Sequence, residues 1–177
     1  GFFTSASSIA AHAEGMNTRA GHLEAGIGNN GDFAINGAAA HAEGSGSRAS
    51  GSFSHAEGLS TLAFGYTSHA EGKETIASGS YSHAEGRQTL ASGGDSHAQG
   101  VSTIAYGDTA HAQNTNTIAL GDNSHAQGAS TIASGSQSHA EGLSTIARGN
   151  QSHAGGELTV SNGIGSRAIG YQTITSG

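Results

Sequence analysis

The chain has 177 residues, with 30 glycines, no proline, cysteine or tryptophan, 5% aromatic and 11% charged residues. A formal charge of −7 excludes the basic footprint of a nucleic-acid binder, and there is no apolar run of about 18 residues to cross a membrane. The absence of cysteine excludes a disulfide framework, and the scarcity of large apolar residues excludes a thick globular core.

In chain order, Gly1-Phe2-Phe3 opens directly inside a repeating pattern, without a signal peptide. His12 and His41 are 29 residues apart, one more than two repeats of 14, which predicts an irregular coil near 21–40 with the extra residue between Gly21 and Gly26. From there histidine recurs every 14 residues, at His41, His55, His69, His83, His97, His111, His125, His139 and His153. The unit reads Ser-His-Ala-Glu-Gly-x-x-Thr-Ile-Ala-Ser-Gly-x-x, and a fixed short period means a solenoid whose turns stack on one another. Near the end Gly155 replaces the glutamate and Arg167 takes the histidine position. Gly177 closes a half-coil, so the chain reads as a piece of a longer protein: one repeat domain over 1–177, of about 12–13 coils and roughly 60 Å at about 4.8 Å per coil.

Each unit divides into two halves of the form x-x-[Ser/Thr]-x-Ala-x-Gly, alternating with the period of a strand. Ser68, Ala70, Thr75 and Ala77 fall on one face and His69, Glu71, Ile76 and Ser78 on the other. The small set must line the interior of a thin two-stranded coil. The threonine column (Thr61, Thr75, Thr89 and onward) belongs to that inner set, which argues against a flat ice-binding face. Glycine closes each half, as at Gly58, Gly65, Gly72 and Gly79, and predicts tight turns with positive φ. Asn114, in a glycine position, is the non-glycine residue that best tolerates that region.

So thin a coil buries little apolar area against the ordering of its backbone. It also carries an outward aliphatic column, Leu62, Ile76, Leu90, Ile104, Ile118, Ile132, Ile146, Val160 and Ile174. Such a stripe predicts coverage by another subunit.

The Gly-x-x-Ser-x-Ala-x-Gly rhythm with a 14-residue period resembles the heads of trimeric autotransporter adhesins, the YadA-like head family. The resemblance covers nearly the whole chain. It implies an all-β, left-handed parallel β-roll, a homotrimer about a threefold axis, and a head at the bacterial cell surface that binds host extracellular-matrix or cell-surface proteins. Any outer-membrane anchor would lie in a C-terminal region outside this segment. The family's inner strand reads Ser-Val-Ala-Ile-Gly where this chain has Ser-His-Ala-Glu-Gly. Repeats of the latter kind also resemble surface and phage-tail proteins of Gram-positive bacteria, leaving a tail-fibre or surface spacer as the alternative.

With a trimer in view, the constant column of His41 to His153 and its companions Glu57, Glu71, Glu85 and Glu141 are expected to face the threefold axis or a neighbouring chain, hydrogen-bonding across it. Ile76, Ile104, Ile118, Ile132 and Ile146 are expected in the same interface. The following outward column varies freely (Phe64, Ser78, Ser92, Tyr106, Leu120, Ser134, Arg148) and is expected to face water. Phe64, Tyr66, Tyr81, Tyr106 and Arg148 form the candidate ligand surface. Neither cofactor nor metal is expected. No catalysis is expected either, because Ser68 and His69 are adjacent on a strand and point to opposite faces.

Overall fold

The computed structural model describes residues 2–21 and 37–176. Each 14-residue repeat is one coil of a parallel β-solenoid. Strand His69–Lys73 lies between His55–Leu59 and His83–Arg87, paired residue for residue at a spacing of 14. On the opposite wall Ile76–Ala77 lies between Leu62–Ala63 and Leu90–Ala91. Among the described residues the two walls are an 11-stranded and a 12-stranded sheet, parallel throughout. The walls are unequal, five residues per strand on the histidine side and two on the isoleucine side. Among the described residues the stack has about one coil fewer than the 12–13 expected, because His12 pairs directly with His41.

The interior follows the alternation. Ala70, Thr75 and Ala77 are fully buried, with their copies in other coils, and threonine is the largest fully buried side chain. Two backbone walls this close leave room for a methyl or a hydroxyl and nothing more. Serine fills the corner: Ser82 donates both its backbone N–H (3.3 Å) and its Oγ–H (2.7 Å) to the Gly79 carbonyl, closing a four-residue turn.

The corners are only partly as expected. Gly72 does sit at φ +106°, and Asn114, its equivalent, at φ 85°. Gly79 and its copies Gly65 and Gly93 are not among the positive-φ glycines; they are needed because an added Cβ would run into the carbonyl of the glycine in the next coil. Non-glycine residues take the left-handed positions too, Glu74 (φ 56°) at the corner after Gly72 and Tyr81 (φ 59°) at the corner after Gly79. Their N–H groups donate to the preceding coil, Glu74 to Leu59 and Tyr81 to Tyr66, both at 2.8 Å, so the ladder of hydrogen bonds runs through the turns. These bonds hold a conformation that costs a non-glycine residue about 1–2 kcal/mol.

The two irregular regions stay in register. His12 pairs directly with His41 and Arg19 with Arg48, so 29 residues make a single step of the stack rather than two repeats and a residue. The extra residue expected between Gly21 and Gly26 lies outside the described residues. At the other end Arg167 pairs with His153 and continues the ladder, while Ile169 covers Gly155.

Candidate functional site

The outward side of the histidine sheet carries a stack of imidazoles. From His41 to His153 neighbouring ring centroids are 4.7 to 4.9 Å apart with planes 1° to 11° from parallel, one ring per coil. Strand spacing imposes this distance, since identical side chains in identical rotamers repeat at the interval of the backbone ladder. Each ring is about one-third exposed, 34% for the side chain of His55, and so is the adjoining Glu57 at 33%.

The glutamates do not serve the rings uniformly. In the first coils the nearest carboxylate oxygen belongs to the same coil, 3.9 Å from His41 Nε2 at Glu43 and 3.8 Å from His55 Nε2 at Glu57. Further along, the partner is the preceding coil: Glu71 to His83 at 3.3 Å, Gln99 to His111 at 3.4 Å and Glu141 to His153 at 3.1 Å. The expectation of contacts across a trimer axis did not anticipate these bonds between coils of one chain. Twelve-residue spacing between partners is their sequence signal. The glutamines form a second ladder that sequence reasoning also missed. Gln113 donates to Gln127 (2.7 Å), and Gln127 donates to Glu141 (3.0 Å).

Protonation of the stack is opposed by its own geometry. Burial, then the neighbouring rings His125 and His97, push His111 down to about 4. Burial likewise lowers His69, with His83 and His55 adding to it, and lowers His97, His125 and His139. Glu141 is held below the ordinary carboxylate value, chiefly by its hydrogen bond with His153.

The expected interface isoleucines Ile76, Ile104, Ile118, Ile132 and Ile146 lie on the other sheet, each half-buried by its neighbours in the column. Within one chain the stripe is thus already partly covered, and Ile174, 70% exposed, is its open end. The candidate ligand residues divide into two groups. Phe64, Tyr106 and Arg148 occupy one outward column, all exposed, with the Arg48 guanidinium 5.8 Å from the Phe64 ring centroid and Arg148 bonded to Asn162 at 3.0 Å. Tyr66 and Tyr81 lie at the neighbouring corner, where Phe53, Tyr66 and Tyr81 meet edge to face at 5.6 and 5.5 Å. Ser68 is buried and His69 is outward, so the two form no nucleophile–base pair.

This architecture defines a class: a parallel β-solenoid built of short repeats whose side chains stack in in-register ladders. The family model for the YadA head domain repeat matches residues 56–82, 84–110, 98–124, 112–138 and 126–152. The chain belongs to that family. Among curated proteins none matches it.

Proposed function

We propose that this chain is the adhesive head of a bacterial surface protein, a homotrimeric rod that displays its variable outward residues to a host matrix or cell-surface protein. One observation carries the reading: through the regular coils, from His55 to Val160, two outward columns, histidine with Glu/Gln and the aliphatics, stay nearly constant and half-buried, whereas the column of Phe64, Tyr106, Leu120 and Arg148 varies and is mostly exposed. Constancy on an outer face calls for a partner that repeats with the same period, and another copy of the chain is such a partner. A threefold ring uses two different patches per subunit, one against each neighbour, and the constant columns lie on opposite sheets. Three parallel copies would multiply a weak contact through Phe64, Tyr66 or Tyr81 into useful avidity.

Light scattering on the purified chain is expected to give three times the chain mass. Ile104→Asp with Ile118→Asp is expected to give the single-chain mass with the β-sheet circular dichroism retained, and His97→Ala with His111→Ala to weaken the trimer. A wild-type chain that stays folded and monomeric on dilution would overturn the trimer. Binding to a panel of matrix proteins, lost with Phe64→Ala and Tyr66→Ala together, would support the adhesive role. Silence across the panel would favour the spacer or tail-fibre reading, to which the Ser-His-Ala-Glu-Gly strand also points.

A further inference from the structure

The first coils of the histidine sheet hold donor atoms without acceptable partners. The Nε2 atoms of His41, His55 and His69 are shielded from solvent and make no hydrogen bond. Their nearest carboxylate oxygens stand at 3.9, 3.8 and 4.0 Å, too far for one. Each belongs to a group of three ligand atoms lying within 4.8 Å of one another: Glu14, His41 and Glu43; then Glu43, His55 and Glu57; then Glu57, His69 and Glu71.

We propose that these coils bind divalent transition-metal ions of the zinc class, each ion held by one imidazole, the carboxylate of its own coil and that of the coil before it. Zinc bonds nitrogen and carboxylate oxygen at about 2.0–2.2 Å, which puts tetrahedral ligands roughly 3.4 Å apart. The nearest histidine–carboxylate pairs need to draw in by about half an ångström to reach that spacing, and the widest pair of a triad, within 4.8 Å, by up to about 1.4 Å. Two carboxylates and a neutral ring balance a double positive charge, and the ion offsets the repulsion of carboxylates stacked coil upon coil. A nitrogen donor in every triad favours zinc, cobalt, nickel or copper over calcium and magnesium, which select oxygen alone. Above the carboxylates lies a shallow depression lined by Glu14, Glu43 and Glu57 with Gly15, Gly44 and Gly58, which leaves a coordination position open to water.

The capacity is local. Glu14–His41–Glu43 and Glu57–His69–Glu71 share no residue, so two ions fit without competition. Glu57 faces His55 through Oε2 and His69 through Oε1, a disposition that also suits a bridge. The central coils carry Gln99, Gln113 and Gln127 where the triads have carboxylates, and a neutral amide is not among the usual zinc ligands. The remaining groups each contain a ring already bonded to a carboxylate, His153 or His83, whereas the rings of His41, His55 and His69 are not. Glu141 is bonded to His153 and Gln127, and Glu71 to His83. All ligands of a triad come from one chain, so the inference does not rest on trimer formation.

The test is zinc titration of the whole chain by calorimetry, with cobalt(II) absorption as the readout of nitrogen–oxygen coordination. About two ions per chain are expected. The variant with Glu14, Glu43, Glu57 and Glu71 all changed to Gln copies the residues the chain itself uses at Gln99, Gln113 and Gln127, and should keep its fold. Its zinc affinity is expected to fall by at least about tenfold, the scale on which even outer-shell partners of a metal act. If the fourfold variant does not fold, Glu57→Gln alone should lower the stoichiometry, while Glu141→Gln should not. Zinc uptake unchanged by the glutamine substitutions, or none by the wild type, overturns the proposal. A monomeric Ile104→Asp, Ile118→Asp variant should bind zinc in the same number, so failure of the trimer and failure of the metal site are separable.

Discussion

His111 lies between two rings of its own kind, and its Nε2 pairs with a neutral acceptor, the Gln99 amide oxygen, at 3.4 Å. His97 and His125 are the titratable groups stacked against it, and protonation of either opposes its own. With a folded value of about 4 against 6.5 in the unfolded chain, the unfolded state binds the extra proton first. The contribution of neutral His111 to stability is complete above pH 6.5, falls as the pH drops below that value, and is exhausted by about pH 4. The thermal midpoint is expected to decline across that window, and His111→Gln to flatten the decline; an identical slope in the variant would contradict the assignment. Inside the coil, Thr103 buries a hydroxyl with no partner, whereas Thr61 bonds to Ser47 at 2.9 Å. Thr103→Val keeps the shape and removes the unmatched oxygen, so it is expected to gain about 1 kcal/mol in chemical denaturation, and Thr61→Val to lose a similar amount. The inner column was legible because Ala, Ser and Thr alternate without exception in the regular coils. The Ser47 partner of Thr61 and the lack of one at Thr103 were not, since identical residues in identical positions differ only in what happens to lie one coil away.

At the level of the strand and its corner, the two glycines of a coil look alike in sequence and do only partly the same work. At both, a Cβ would run into the carbonyl of the glycine in the next coil, so both let one coil rest on the next; Gly72 in addition bends the chain at positive φ. The tripeptide pattern that marks each is the same, so sequence offered no means of separating them. The left-handed Glu74 and Tyr81 were hidden for the opposite reason: their positions hold Ser, Gln, Asp, Thr or Asn elsewhere, with no common residue to signal a turn. The same limit applies to the glutamates, whose coil-to-coil bonds depend on rotamers rather than on spacing. Gly79→Ala places a methyl against backbone atoms of Gly93 that cannot move without parting two coils. It is expected to cost about 3 kcal/mol, the upper range for overpacking, and to be seen as a lowered denaturation midpoint. Asn114→Ala should cost less, about 1 kcal/mol, because the loss there is confined to a strained φ. Equal effects at the two sites would mean that close approach is not what Gly79 is for.

Over the whole molecule, each coil touches only the coils before and after it, so stability is a sum of units and interfaces between them. In the regular coils the histidine, alanine and aliphatic columns join like to like: His97 on His111, Ala98 on Ala112, Ile104 on Ile118. Removing 97–110 joins Ser96 to His111 and restores each of these contacts with the next copy. Such a chain is expected to fold, with its melting midpoint within a few degrees of the parent. Removing only the seven residues 97–103 also keeps small residues inside, because both halves of the repeat share the Ser/Thr-x-Ala-x-Gly pattern. It nevertheless sets a two-residue strand beneath a five-residue one, isoleucine against histidine, and a glycine of one corner against that of the other. The histidine stack is cut and the metal-bearing coils are separated from the rest. Circular dichroism melting of the two deletions compares them directly. The 14-residue deletion should melt in one step near the parent, and the seven-residue deletion well below it or in two steps as the halves unfold separately. If the shorter deletion is as stable as the longer, the interior pattern alone specifies the fold, and the outward ladders of histidine and isoleucine contribute nothing to it.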